Sequence, residues 1–243
     1  MLYEYDAITQ LHGLYACEPI NTPVRIRTAW RVSVGTRRQC PYNFPMIHDS
    51  IPWREELIRV ADRLEKRKTQ RRWTGRTGFL IERDIMTSAY AVRKLHEARR
   101  ISDQISARML KVKRFELIGK VLDHYRSEFW ESFDLEKPTE TQVGVTFLCN
   151  QIIHSFVWAI SATEDEELFD GIFVSSDRER RRFLYFVHVD LLVKLFREIG
   201  EEEIVETRMS ADENGERYIS QVISTTDYTN GIRVPRPDRP PHS

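Results

Sequence analysis

The chain has 243 residues, 41% of them hydrophobic and 30% charged. That balance suits a soluble globular protein with a sizeable core and excludes a largely disordered or fibrous chain. Equal totals of 37 basic and 37 acidic residues hide an asymmetry: residues 21–126 carry 25 Lys/Arg against 11 Asp/Glu, and residues 127–243 carry 12 against 23. A basic segment of that size faces either the acidic half of the same or a second copy, or phosphates.

The opening residues Met1-Leu2-Tyr3-Glu4-Tyr5-Asp6 lack the basic patch and apolar run of a signal peptide. The longest apolar stretch, Phe183 to Val193, is interrupted by His188 and Asp190 and is too short to span a bilayer. Cys17, Cys40 and Cys149 form no Cys-x-x-Cys pair. The expectation is a cytoplasmic protein with reduced thiols, no membrane partner and neither a disulfide framework nor a structural zinc.

In chain order, residues 1–52 read as an irregular N-terminal extension broken by Pro19, Pro23, Pro41, Pro45 and Pro52, with a short alternating strand at Val24 to Val34. Residues 53–229 read as a single, mainly helical domain. Its first helix runs from Trp53 to Arg72, with Leu57, Val60, Ala61 and Leu64 inward. A long second helix is expected from Phe79 to Met109, striped by Ile81, Ile85, Ala89, Val92, Leu95, Ala98, Ile101 and Ile105. Arg93, Lys94 and Glu97 fall on its opposite, solvated face, Arg93 and Glu97 at ion-pair spacing. Residues 110–140 fit strand and helix alike. A further helix is expected over Val143 to Ser161. Gly171 to Ser175 and Phe183 to Val189 read as a hairpin around the basic turn of Arg178, Arg180, Arg181 and Arg182. A short helix follows from Asp190 to Gly200. Ile204 to Ser224 reads as a second hairpin turning at Asn214-Gly215. Residues 230–243, rich in proline and arginine, read as a disordered tail.

Several common sites are missing from the sequence. There is no Gly-x-x-x-x-Gly-Lys-Ser/Thr phosphate loop, no Gly-x-Gly-x-x-Gly turn and no Gly-x-Ser-x-Gly elbow. The histidines show no pair at metal-ligand spacing, and no cofactor is expected. Two segments carry chemistry. In Arg67-Lys68-Thr69-Gln70-Arg71-Arg72-Trp73-Thr74-Gly75-Arg76, the cations Arg67, Lys68, Arg71, Arg72 and Arg76 suit a phosphate backbone, and Trp73 suits base stacking. The plainer reading is a solvated helix end. In Leu148 to Trp158, an apolar helix is expected to hold Asn150 and His154 one turn apart on one face. An amide and an imidazole so placed either bond each other or the backbone within the core, or take part in binding or catalysis.

The stretch Cys149-Asn150-Gln151-Ile152-Ile153-His154 resembles the motif of the HEPN superfamily: an arginine, a polar residue, three variable residues and a histidine on a late helix. The resemblance covers about residues 79–161. It implies an α+β, mainly α fold, a HEPN-like helical bundle with one or two small β-hairpins. It also implies an RNA-directed protein, one that binds RNA or cleaves it weakly, or in a partner-dependent and metal-independent way, as in bacterial defence or toxin systems. His154 and Asn150 would be the catalytic residues and a homodimer the working form. Cys149 departs from the motif, because a thiol supplies neither the positive charge nor the fork of a guanidinium. Cleavage therefore needs a cation from elsewhere, such as a second subunit. The alternative is a catalytically inactive protein–protein interaction module.

Overall fold

The computed structural model describes residues 49–123, 128–163 and 168–229. The strand expected at Val24 to Val34 and the tail 230–243 lie outside these residues.

Helix α1 (Ile51–Arg67) opens with Pro52 in its first turn, where the missing N–H is harmless. It buries Leu57, Val60, Ala61 and Leu64 at helical spacing. Helix α2 (Gly75–Glu97) starts at Thr74, whose side chain accepts from the Thr77 N–H, and carries Lys94 and His96 in its last turn. It stops twelve residues short of the expected Met109. Arg99 takes the left-handed conformation at φ 54°, and the Arg100 N–H bonds back to the Leu95 carbonyl at 2.8 Å. This is the six-to-one closure of a Schellman motif, with arginine where glycine is usual. The apolar stripe past residue 97 belongs to a short α3 (Asp103–Ser106) and to strand β1 (Met109–Glu116).

Strand β2 (Thr139–Gly144) leads directly into α4 (Val145–Ile153), and β3 (Ser155–Ala162) follows after one residue. Next come β4 (Phe169–Ser176), β5 (Phe183–His188), α5 (Val189–Glu201), the hairpin β6 (Ile204–Ala211) and β7 (Arg217–Ser224), and a last turn of helix α6 (Thr225–Thr229). The β6–β7 turn has Gly215 at φ 80°, the left-handed position that Asn-Gly supplies.

The first five strands form one antiparallel sheet in the order β2-β1-β5-β4-β3, and β6 and β7 form a separate hairpin. This corrects the expected mainly helical bundle: the fold is α+β around a five-stranded antiparallel sheet. The main reason lies at residues 155–162. An apolar run of this kind fits a buried helix and a buried strand equally well by periodicity. Pairing decided it: Trp158 faces Val174, Ala159 faces Phe173 and Ile160 faces Ile172 across β3 and β4. Aromatic and β-branched side chains favour that pleated surface. The helix expected over Val143 to Ser161 is therefore only nine residues long.

One face of the sheet is covered by α4 and α5, on which α2 and α1 pack in turn. Leu110, Val112, Ile172, Val174, Tyr185 and Val187 supply the sheet side of this core. The opposite face holds a smaller cluster. There Phe115, Val157, Leu184 and Phe186 meet Leu122 and Phe133 from the segment joining β1 to β2.

Candidate functional site

Helix α4 buries Val145, Leu148, Cys149 and Ile152. The Cys149 thiol points into the main core, and burial pushes it up to about 12, with the charge of Arg93 pulling weakly the other way. Gln151 is also buried. Its Oε1 accepts from the Ser176 N–H at 2.9 Å, fastening α4 to the end of β4. The helix closes at His154, whose N–H bonds to the Asn150 carbonyl at 3.0 Å, and the His154 carbonyl accepts from the Asp177 N–H at 3.3 Å. The link to the turn 177–182 is thus made twice.

His154 is exposed and Asn150 half-buried. No side-chain hydrogen bond joins them among the described residues, so the reading of a core histidine bonded to Asn150 is set aside. Both line a surface pocket of about 610 Å³ together with Phe147 of α4, Arg93 of α2 and Asp177, Arg178 and Glu179 of the turn after β4. Arg93 Nη1 stands 3.4 Å from His154 Nε2. A guanidinium from α2 thus reaches the imidazole at the end of α4.

The other charges are already engaged, with one exception. Arg93 Nε bonds Glu97 at 2.8 Å and Lys94 bonds the second Glu97 oxygen at 2.6 Å; these two cations hold the Glu97 carboxyl below its ordinary range. Asp177 accepts from Arg180 at 2.9 Å, and Arg180 lies 3.9 Å over the Phe156 ring. Glu179 accepts from the Tyr185 hydroxyl at 3.1 Å. That hydroxyl is pushed upward by burial and by the Glu179 charge. The exposed Arg178 makes no hydrogen bond or ion pair among the described residues. Asn150 Oδ1 is shielded from water with no donor among the described residues. The pocket thus sets Arg93, Arg178 and His154 beside the carboxylates of Asp177 and Glu179, which are held by Arg180 and the Tyr185 hydroxyl. Of these groups, only the Arg178 guanidinium, unpaired among the described residues, and the Arg93–His154 pair offer donors to an oxyanion.

The basic segment sits elsewhere. Arg67 ends α1 and bonds Gln70 at 2.5 Å, and Lys68 pairs with Glu65 at 3.0 Å and Asp190 at 2.5 Å. Trp73 is half-buried, edge-on to Phe169 at 6.4 Å, so its indole seals the margin of the core. Arg71, Arg72 and Arg76 are exposed. Arg76 lies in the first turn of α2 and Arg93 near its end, roughly 25 Å along the axis at 1.5 Å per residue. The structure therefore brings Asn150, His154 and Arg93 together and leaves Arg67 to Arg76 at the far end of α2.

Sequence reasoning missed Arg93, Gln151 and Arg178. Arg93 sits four residues before Glu97, which reads as a solvated ion pair, and Arg178 lies in a basic turn; neither carries a local mark of its neighbours. His188, read as a sheet residue, ends β5 and accepts from the Asp190 N–H at 3.1 Å. Among the described residues no group of three His, Cys, Asp or Glu converges to hold a metal ion, and no helix is long and apolar enough to cross a membrane.

Fold and pocket together define an α+β protein with a histidine-bearing surface pocket, lined by two arginines and two carboxylates, at the junction of α2, α4 and the β4–β5 turn. Comparison of the chain with protein-family models, characterised proteins and solved structures finds no match.

Proposed function

We propose that this protein binds RNA at the Arg93–Asn150–His154 pocket and cleaves it by acid–base chemistry with the RNA's own 2′-hydroxyl. The observation that carries the reading is the 3.4 Å approach of Arg93 Nη1 to His154 Nε2. A guanidinium only donates, so a hydrogen bond at this contact makes Nε2 the acceptor and needs the tautomer with its proton on Nδ1. A phosphate in the pocket draws the Arg93 guanidinium onto its oxygens and releases Nε2 as a base. The imidazole then takes the 2′-hydroxyl proton. The 2′-oxygen bonds to phosphorus, and the 5′-oxygen of the next nucleotide leaves and picks up a proton. Products carry a 2′,3′-cyclic phosphate and a 5′-hydroxyl. Arg178 holds a neighbouring phosphate, which positions the strand without reading its sequence.

A second reading, an interaction module without catalysis, draws on the β6–β7 hairpin, where Val205, Met209 and Tyr218 are exposed at 48%, 61% and 52%. One experiment separates the two: purified protein incubated with mixed structured RNA in EDTA, beside His154→Ala and Arg93→Ala. Cleavage by the wild type alone, with cyclic phosphate ends, supports the catalytic reading. Folded wild-type protein that neither cleaves RNA nor binds it at low salt refutes it and leaves the interaction module.

A further inference from the structure

A second pocket, of about 520 Å³, opens between the start of α1, the turn after α2 and the end of α5. Three arginines line it: Arg54, Arg99 and Arg100. Arg54 is only 8% exposed. One of its terminal nitrogens donates to the Arg100 carbonyl, while its Nε–H is shut off from water with no acceptor among the described residues. Arg99 pairs with Asp103 at 2.7 Å and donates to the Ser220 carbonyl at 3.4 Å, yet its Nε–H is likewise buried and unmet. The exposed Arg100 guanidinium has no partner among the described residues. Orphaned buried donors of this kind are uncommon and call for an acceptor. Arg99 also holds the left-handed backbone at φ 54°, a strain that side chains other than glycine and asparagine adopt where the surroundings impose it.

The carboxylates of the same pocket place no oxygen on these two Nε–H groups, although the Glu202 charge acts on Arg54. Glu202 accepts from the Ser102 N–H at 3.1 Å, Glu203 from the Thr225 hydroxyl at 3.3 Å and Glu55 from Arg59 at 2.9 Å. The formal charges of the lining balance, three arginines against Glu55, Glu202 and Glu203, yet the two buried Nε–H groups stay unpaired among the described residues. A group with several oxygens and a double negative charge answers three arginines lining one pocket better than a carboxylate does. The volume exceeds that of a bare phosphate and lies within the range of small-molecule pockets. Glu202 and Glu203, at the end of α5, retain lone pairs for hydroxyl donors.

We infer that this pocket binds a phosphoryl group carried by a small hydroxylated molecule, with Arg54, Arg99 and Arg100 on the phosphate and Glu202 and Glu203 on the hydroxyls. The inference is independent of RNA cleavage, since none of these residues lines the His154 pocket.

The test is calorimetric titration and thermal melting of the full chain with ribose 5-phosphate, inorganic phosphate and ribose as separate probes. It is run on wild type, Arg100→Ala, Arg54→Lys and the double variant Arg93→Ala/His154→Ala. Ribose 5-phosphate should raise the melting temperature by about 5–10 °C at roughly a hundred times its dissociation constant. Inorganic phosphate should bind more weakly and ribose not at all. Arg100→Ala should weaken binding about tenfold or more, and the double variant should bind as wild type does. Should Arg54→Lys fail to fold, the exposed Arg100 decides the matter alone. Absence of binding by both phosphate probes, binding untouched by Arg100→Ala, or binding abolished in the double variant would each overturn the assignment.

Discussion

Arg93 and His154 meet at 3.4 Å although 61 residues separate them in the chain. The contact exists because α2 packs along α4, and because α4 ends at His154 and turns at once into β3. Gln151 and the His154 carbonyl tie that corner to the turn carrying Arg178. The pocket is thus built where a short helix, a long helix and a hairpin turn come together.

Replacing Arg93 by lysine keeps the charge and removes the planar fork that faces His154 Nε2 and Glu97. The proposed RNA cleavage, measured in EDTA, should fall about a hundredfold, the scale of losing one oriented donor to a developing anion. His154→Ala should abolish cleavage outright while leaving stability within about 0.5 kcal/mol, because the ring is exposed. Rate measurements paired with melting curves check both expectations. A large loss of stability in His154→Ala would show that the ring supports the fold.

Gln151→Leu tests the fastening beneath the pocket. The leucine fits the apolar side of α4 but leaves the buried Ser176 N–H without its acceptor, which costs about 1–3 kcal/mol. Urea denaturation should show a lower midpoint at an unchanged slope. The proposed RNA cleavage should weaken even at temperatures where the variant is fully folded, because the turn carrying Arg178 loses one of its two ties to α4.

Asp84, 4% exposed, accepts from Arg63 of α1 at 2.8 Å and from the neighbouring Arg83 at 2.7 Å. Burial alone would raise its carboxyl, but the two guanidiniums outweigh burial and hold it below the ordinary range. A depressed native value stabilises the fold above the unfolded value of about 3.9, and that stabilisation is lost as pH falls through the lower native value. Asp84→Asn should therefore destabilise the protein by about 1–3 kcal/mol at neutral pH. The gap to wild type should narrow as pH falls below about 4. Melting curves from pH 7 to pH 2.5 measure it, and a gap that stays constant would refute the linkage.

Gly200→Ala inverts the usual rule for helices. In an open helix the change stabilises by about 1 kcal/mol. Here the added Cβ would stand 2.4 Å from Ile58 Cγ1 and 2.9 Å from the Arg54 carbonyl oxygen, both on α1. The clash falls on backbone as well as side chain, so the variant should lose about 1–3 kcal/mol. Chemical denaturation decides the sign.

The sequence by itself determined those elements whose signals are local. Pro52 and the 57-60-61-64 spacing mark α1, Asn214-Gly215 marks the β6–β7 turn, and the basic turn at 178–182 joins β4 to β5, as the pattern around it implies. Asn150 and His154 also stand out locally, as polar side chains in an apolar run, and both line the pocket. Only the tertiary structure decided the rest. Residues 155–162 became strand because β4 offered them a partner in register, and α2 stopped at Glu97 because Arg99 turned left-handed. Periodicity records how a segment buries its apolar side, not what it is buried against. For the same reason Arg93 reads as one half of a surface ion pair until α4 is packed beside it. The proximity of a guanidinium to an imidazole 61 residues away is a product of packing, which no local spacing encodes.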